Sequence, residues 1–312
     1  IAREAAARWQ DLLGRIEVEG GSDEQRTIFY TSLYRTFHSP FQVTDSLMRR
    51  YLGTDGKPHR AEMQANYYSS WSLWDTYRTK FPLITLLDPA RSADIMQSLA
   101  QLYVTGKQDW STDYECVPTV RTEHAIATLL DAYRQGISIP NLDEAWAGMV
   151  REAERMPLKT PDQCLEASVD YWALGQLAQE TGREDEALWW TQRGEQVFDS
   201  VWTKEFMVID STYTRMRGNG LYQGTRWQYR WGAPMYLKRM EQLVGSKVLL
   251  AQLEQFFQEG LYNQGNEPDI HVPFLFGRLG APEKTAPVVR SLATEAITHR
   301  YGGNDAYPEP FV

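Results

Sequence analysis

Three oxygen-bearing side chains lie within four consecutive positions, at Asn266, Glu267 and Asp269. Carboxylate and amide oxygens are the ligands that calcium prefers in proteins. A calcium ion held there could bind two hydroxyls of a sugar and keep its ring distorted. The spacing is not that of an EF-hand loop, and Asn and Asp side chains also stabilise ordinary turns. The segment therefore predicts either a calcium site or a turn.

Tryptophan and tyrosine are unusually frequent, with 11 and 17 copies in 312 residues. Many stand beside carboxylate or amide side chains, and these mixtures are densest in the segments 67–78, 109–125, 222–229 and 265–271. An aromatic face can stack on a sugar while neighbouring carboxylates and amides bond its hydroxyls. The alternative is that the large rings fill a core. His124 and His271, in two of these segments, are open to a catalytic or a structural role.

The composition limits the class of partner. A net charge of −9 opposes nucleic-acid binding, because phosphate contacts need a basic surface. No apolar run approaches the roughly 20 residues that span a bilayer. The chain opens on Ile1 without the stretches of a signal peptide, so a targeting segment is expected to be absent or already removed. Cys116 and Cys164 allow one disulfide or two free thiols.

Helix signals recur along almost the whole chain, and helices must therefore position the chemical segments. Ser22 and Gln25 fit a capping box, Asp88 precedes a proline at a first helical position, and Gly136 fits the left-handed residue after a helix. About a dozen helices are expected, with few strand alternations and no fixed short repeat. The pattern predicts an all-α fold, either a solenoid or a closed toroid of helical hairpins. Chemical groups carried by loops favour a site at one mouth of a toroid.

Five motifs, in one order along the chain, resemble those of glycoside hydrolase family 92. The first is Ser-Leu-Trp-Asp-Thr-x-Arg at 72–78, followed by a Pro-Leu pair at 82–83. The second is Glu-His-Ala at 123–125, and the third is Gly-Thr-x-Trp-Gln-Tyr at 224–229. Gly-Asn-Glu-Pro at 265–268 and Gly-x-Pro-x-Lys-Thr at 280–285 complete the set. The matching positions run over nearly the whole chain.

The resemblance implies an (α/α)6 toroid that releases mannose from chain ends with inversion, as a calcium-dependent, secreted or extracytoplasmic α-mannosidase. It implies that residues 1–312 are the helical catalytic domain of a longer enzyme whose N-terminal β-sandwich is missing here. A mannose-containing glycan or phosphoglycan is the implied substrate. The implied calcium ligands are Asn266, Glu267 and Asp269, and the implied substrate-binding residues are Trp74, Asp75, Arg78, Glu123, His124, Arg226 and Trp227.

One departure from the family lies at Gln223, where the family carries the glutamate that acts as general acid. An amide cannot donate a proton as a carboxylic acid does, whereas a phosphate leaves as a stabilised anion and needs none. The family includes members that cleave mannosyl phosphodiesters. Gln223 therefore predicts hydrolysis of α-mannose-1-phosphate diesters, of the mannose-1-phospho-6-mannose type. Arg226 could contact such a phosphate or be an ordinary surface arginine.

A second departure lies at the end of the chain, where Asp305 is followed by Ala306 instead of the acidic residue that the family uses in its base machinery. Asp305 is the remaining candidate base. Three alternatives stay open: an α-1,2-mannosidase acting on N-glycans or yeast mannan, a mannose-binding remnant without activity, and a helical interaction scaffold. The scaffold ranks last, because it predicts an apolar concave surface, whereas these loops are rich in Trp, Asp, Asn and Glu.

Overall fold

The computed structural model describes residues 2–61, 65–108 and 122–294. The chain divides into two compact units, the first comprising Ile1–Ala125 with Asp131–Gly148, the second Ile126–Leu130 with Met149–Val312. Helices dominate both units, and the described part of the chain adds only four short strands. The all-α class predicted from the sequence is confirmed. No described helix combines the length and the apolar character that crossing a bilayer requires.

The first unit combines helices with two small antiparallel ribbons. The strands are β1 Phe41–Gln42, β2 Arg50–Leu52, β3 Pro58–Arg60 and β4 Tyr68–Ser69. Strand β1 pairs with β4, and β2 pairs with β3, in a region where no strands were predicted. The helices are α1 Ala2–Leu13, α2 Asp23–Thr36, α3 Leu73–Thr76, α4 Lys80–Leu87 and α5 Pro89–Thr105. Two further helices, α6 Ala125–Arg134 and α7 Leu142–Arg155, contribute residues to both units.

The second unit is built on two long helices, α8 Pro161–Glu180 and α9 Glu184–Glu205, which pack against each other. A Cβ atom at Gly175 of α8 would lie 2.8 Å from the backbone nitrogen of Thr191, so only glycine permits this approach. The remaining helices are α10 Arg226–Tyr229, α11 Leu237–Val244, α12 Ser246–Gln258, α13 Leu275–Arg278 and α14 Thr285–Thr294. Single 3-10 turns span Pro234–Tyr236, Glu267–Asp269, Val272–Phe274 and Pro282–Lys284.

Several helix ends follow the predicted capping chemistry. Ser22 Oγ accepts the Gln25 N–H at 3.2 Å, and Gln25 Oε1 accepts the Ser22 N–H at 2.9 Å, which completes the capping box before α2. Asp88 Oδ1 accepts the Arg91 N–H at 3.2 Å in the first turn of α5. Gly136, just after α6, has a φ of +83°. The predictions for these three helix ends are confirmed.

Aromatic rings form much of the core of the second unit. Burying a large ring stabilises a fold by about 2–3 kcal/mol, so this cluster gives the loops around it a rigid base. The alternative reading of the aromatic residues, that they fill a core, holds for these. The buried rings belong to Phe198, Trp202, Phe206, Tyr213, Trp227, Tyr229, Trp231, Tyr236, Phe256 and Tyr262.

Candidate active site

Gln223 takes a left-handed backbone conformation, with a φ of +53°. A non-glycine residue in this region costs about 1–2 kcal/mol and persists only where surrounding contacts fix it, commonly at functional sites. Five described non-glycine residues have a positive φ, and four of them lie within the chemical segments identified in the sequence: Ser70, Ser72, His124 and Gln223. The backbone therefore singles out three of the four segments that the residue types also mark.

Residues 222–224, which we call the Gln223 turn, are held on one side through Tyr222. Its N–H donates to Asp162 Oδ2 at 2.8 Å, and its carbonyl accepts the Tyr229 hydroxyl at 2.6 Å. Asp162 is buried at the start of α8, where Oδ1 also accepts the Gln163 N–H at 2.8 Å and the Thr160 hydroxyl. Asp162 therefore accepts hydrogen bonds through both carboxylate oxygens and joins the helix start to the turn.

The other side of the Gln223 turn is held through its carbonyl groups. The Gln223 carbonyl accepts from Asn266 Nδ2 at 2.7 Å, and the Gly224 carbonyl accepts from Asn219 Nδ2 at 2.9 Å. A Cβ atom at Gly224 would lie 2.5 Å from the ring of Tyr229, so this ring can close over the turn only at a glycine. Contacts from four other residues thus fix the strained backbone.

Helix α10 follows the turn and connects it to the next loop. Thr225 Oγ1 accepts the Gln228 N–H at 3.3 Å, and Gln228 Oε1 accepts the Thr225 N–H at 2.8 Å, which forms a second capping box. The Nε2 of the same Gln228 side chain donates to Asp269 Oδ2 at 3.2 Å. Trp227 is buried, with its ring edge-on to Tyr213 at 5.3 Å between centroids. The helix is therefore anchored at both its start and its core face.

Residues 263–269, which we call the 263–269 loop, carry the predicted calcium ligands. Asp269 is fully buried, and its Oδ2 also accepts the Asn263 N–H at 2.7 Å. Burial, and then the negative charge of Asp269, raise the pKa of Tyr262 above its ordinary value. Glu267 is half-buried and begins the 3-10 turn Glu267–Asp269. The loop thus holds one deeply buried carboxylate and one that is partly open to solvent.

The surroundings of the Asn266 side chain bear on whether this loop could bind a hard cation such as calcium. Its Nδ2 must be the atom that faces the Gln223 carbonyl, because a carbonyl can only accept a hydrogen bond. The remaining atom, Oδ1, is buried and has no hydrogen-bond partner among the described residues. The described residues hold no cluster of three or more His, Cys, Asp or Glu side chains suited to a metal. Calcium also binds amide and main-chain oxygens, and a buried, unsatisfied amide oxygen beside two carboxylate-bearing positions fits it.

Arg226 forms an ion pair with a neighbouring glutamate. Its Nη2 donates to Glu205 Oε2 at 2.8 Å, and its Nη1 donates to Thr212 Oγ1 at 2.9 Å. Glu205 lies at the end of α9. A phosphate bound at this guanidinium would compete with Glu205.

Arg230, directly after α10, is a fully buried cation that the sequence analysis did not single out. Its guanidinium lies 5.0–5.8 Å from the centroids of four aromatic rings, and its Nη2 donates to Gln252 Oε1 at 2.7 Å. Burial lowers its pKa from the ordinary value. Cation–π contacts offset part of the cost of burying this charge. The four rings belong to Trp202, Tyr213, Trp227 and Trp231.

In the first unit, the segment 72–78 is held by contacts with its own neighbours. Ser72 Oγ donates to Asp75 Oδ2 at 2.8 Å, which orients that carboxylate. Trp74 is 1% exposed, and its carbonyl accepts from Arg78 Nη1 at 3.0 Å. The structure therefore holds the Asp75 carboxylate and the Arg78 guanidinium by bonds within the segment itself.

His124 joins this segment through its ring. The imidazole stacks on Tyr77, with 4.3 Å between centroids, and the Arg78 guanidinium lies 4.4 Å from the centroid of the same Tyr77 ring. His124 is buried with a φ of +64°, and Glu123 beside it is half-buried. The first unit thus brings together Tyr77, Arg78 and His124. In the second unit His271 Nε2 contacts the Trp231 carbonyl at 2.8 Å, as expected for a structural histidine.

Most of the predicted site residues lie within the described part of the chain, and further residues contact them. The candidate base Asp305, together with Ala306, Cys116 and the segment 109–121, lies outside the described residues. Cys164 carries a free, half-buried thiol whose pKa is raised by burial. Sequence reasoning missed Asp162, Asn219 and Arg230. The only signal for Asp162 was its place after Thr160-Pro161, which indicates a helix start and nothing more.

Helices whose connecting loops gather aromatic rings, amides and carboxylates are typical of helical glycoside hydrolases. The model of the glycosyl hydrolase family 92 catalytic domain matches residues 1–305. The chain therefore belongs to glycoside hydrolase family 92. A search of curated proteins gave no match.

Solved structures agree with this family. The family GH92 glycosyl hydrolase CcMan5 is 25% identical with a TM-score of 0.83, over 99% of this chain and 47% of that one. A family GH92 α-mannosidase from Bacteroides thetaiotaomicron is 22% identical with a TM-score of 0.77, over 93% and 44%. Its complex with mannoimidazole gives 21% identity and a TM-score of 0.74, over 93% and 45%. The chain spans about half the length of these proteins.

Proposed function

We propose that this protein is an inverting α-mannosidase that releases mannose from α-mannose-1-phosphate diesters. Family membership supports the mannosidase part, since one solved member is named as an α-mannosidase and has been captured with mannoimidazole. The diester part rests on Gln223, which stands where the resemblance places the family's general acid, in a turn that neighbouring side chains fix.

The chemistry of the leaving group explains why Gln223 favours a diester. Water attacks C1 of mannose and passes a proton to the base, for which Asp305 is the candidate. The C1–O bond breaks, and its electron pair leaves on the aglycone oxygen. A sugar alkoxide needs a proton at that moment, and loss of the acid lowers the rate typically by about 10²- to 10⁴-fold. A phosphate monoester departs as a stabilised anion and needs none.

The carboxyl groups beside the Gln223 turn are poor replacements for the missing acid. Asp162 accepts the Tyr222 and Gln163 N–H groups, and Asp269 accepts the Asn263 N–H and the Gln228 amide. Both oxygens of Asp162 and the Oδ2 of Asp269 are therefore already occupied as acceptors of N–H bonds within the protein.

Calcium is part of this proposal. Asn266, Glu267 and Asp269 would hold it, and the bound cation would supply positive charge for two sugar hydroxyls. Asn266 Oδ1 is buried and has no hydrogen-bond partner among the described residues, which supports the assignment. We place the enzyme outside the cytoplasm, where free calcium is plentiful.

The test compares two substrates, an α-1,2-mannobiose and mannose-1-phospho-6-mannose, with calcium present. The protein is expected to hydrolyse the diester and to leave the mannobiose nearly untouched. Gln223→Glu restores the acid, so mannobiose turnover is expected to rise by about 10²- to 10⁴-fold. Gln258→Glu, the same change at an exposed position at the end of α12, is the matched control and is expected to gain nothing.

Two results would contradict the proposal: mannobiose turnover equal to that of the diester, or a Gln223→Glu variant without any gain. The first would favour the α-1,2-mannosidase alternative. Calcium-dependent mannose binding in calorimetry, with no hydrolysis of either substrate, would favour the binding remnant.

A further inference from the structure

The two polar atoms of the Asn266 side-chain amide have different surroundings. Its Nδ2 donates to the Gln223 carbonyl at 2.7 Å, across 43 positions of sequence. Its Oδ1 is buried and has no hydrogen-bond partner among the described residues. The residue itself is fully buried at the start of the Glu267–Asp269 turn. A single planar group therefore carries both a candidate cation-ligand oxygen and the donor to the backbone of position 223.

We propose that Asn266 is a positioning residue that couples cation binding in the 263–269 loop to the conformation of the Gln223 turn. The inference rests on the proposed function, because it uses the cation site and the role of position 223. It goes beyond that function by assigning to Asn266 a task separate from holding the metal.

The physical link is the conjugation of the amide. A cation held through Oδ1 would withdraw electron density through the amide, which would make the Nδ2 hydrogens better donors and strengthen the bond to Gln223. The same contact fixes the amide plane, so the donor no longer rotates away. Gln223 has a strained φ of +53°, and such a conformation depends on the contacts that hold it. Cation binding is therefore expected to make the Gln223 turn more rigid.

Asn266→Asp separates the two tasks. The aspartate keeps an oxygen for the cation and adds a negative charge, but it has no N–H to offer and turns an acceptor toward the Gln223 carbonyl. Calcium should still raise the melting temperature by at least as much as in the wild type, since a ligand that binds the folded state stabilises it.

Hydrogen exchange measured by mass spectrometry reports the coupling without using activity. In the wild-type protein, calcium is expected to slow amide exchange several-fold in a peptide covering residues 219–229. In Asn266→Asp, calcium binds but leaves that exchange unchanged. For diester hydrolysis at saturating calcium, kcat is expected to fall at least about 10-fold, with a smaller change in KM.

Asn263→Asp is the matched control, because it adds the same charge to the loop three positions earlier. Asn263 accepts the Gly265 N–H through its Oδ1, which an aspartate retains. This variant should keep the calcium-dependent slowing of exchange. Where Asn266→Asp does not fold, Asn266→Ala, which adds no buried charge, must also lose the slowing.

Three results would overturn the inference. They are unchanged exchange in the wild-type protein on calcium binding, full calcium-dependent slowing in Asn266→Asp, and loss of the calcium-induced rise in melting temperature in that variant. A wild-type protein that shows the coupling but hydrolyses no diester would contradict the proposed function. The coupling itself would still be supported.

Discussion

The hydrogen bonds that hold the segment 72–78 of the first unit and the Gln223 turn of the second span very different distances along the chain. In the first unit the bonds from Ser72 to Asp75 and from Arg78 to Trp74 join residues three and four positions apart. In the second unit the Gln223 turn is held from positions 60 and 43 residues away. Local bonds can form with helix α3 itself, whereas the distant ones need the packed unit. Gln223 should therefore be more sensitive to changes elsewhere in its unit.

The largest effect is expected from Asp162→Ala. This change removes the acceptor for Tyr222 and leaves the Gln163 N–H and the Thr160 hydroxyl without theirs. Hydrogen bonds to a charged group contribute about 1.5–3 kcal/mol each when they are broken one-sidedly, and partial replacement by water reduces the sum. We expect the free energy of unfolding to fall by about 3 kcal/mol, as measured by urea denaturation, together with a loss of turnover.

Asp185→Ala is the matched control, because Asp185 is also the second residue of a helix, α9, but is exposed. It should change stability by less than about 0.5 kcal/mol. If the two variants lose stability equally, Asp162 acts only at the helix end, and its hydrogen bond to Tyr222 does not stabilise the Gln223 turn.

A smaller effect concerns charge in the first unit, at Lys80. Its Nζ donates to Ser39 Oγ at 2.8 Å, and burial lowers its pKa from 10.5 to about 8, with the charge of Asp75 opposing part of that shift. Between these two pH values the unfolded chain holds the proton and the folded chain does not. Stability therefore rises with pH across that window, and the penalty for burying the charge is fully present below about pH 8.

Lys80→Met should abolish that rise. We expect the wild type to gain about 2 kcal/mol relative to the variant between pH 8 and 10.5, after allowance for partial solvent exposure of the lysine. Lys238→Met, at an exposed lysine of α11, should follow the wild-type curve. Urea denaturation at several pH values measures all three proteins. Parallel curves for wild type and Lys80→Met would show that Lys80 is not buried as a cation.

Helix ends and the chemical segments could be predicted because both depend on short-range information. Ser22, Asp88 and Gly136 act within one turn of their own helices, and the segments at 72–78 and 265–268 are recognisable as written. The family followed from their order. The ribbons of the first unit were not predicted, because strands of two and three residues are too short to display an alternating pattern.

The contacts that hold the Gln223 turn could not be predicted, and the reason is physical. Glutamine rarely adopts a positive φ, so the residue type gave no sign of the left-handed turn. The partners Asp162 and Asn266 become neighbours of Gln223 only after packing. The sequence left two roles possible for Arg226, a phosphate contact or an ordinary surface position. Its ion pair with Glu205 forms only because α9 ends beside it. Long-range polar contacts carry no periodic pattern from which to infer them.

The smallest effect returns to backbone strain in the first unit. Ser70 has a φ of +74°, so Ser70→Gly relieves the strain of the left-handed conformation while making the unfolded chain more flexible. The two terms nearly cancel, and we expect a net gain of about 0.5 kcal/mol in thermal denaturation. Ser46→Gly, at an exposed serine that is not among the residues with positive φ, has only the unfavourable term and should lose about 0.5 kcal/mol. Equal losses in both variants would mean that Ser70 stores no strain, and the left-handed residues of the two units would then differ in kind.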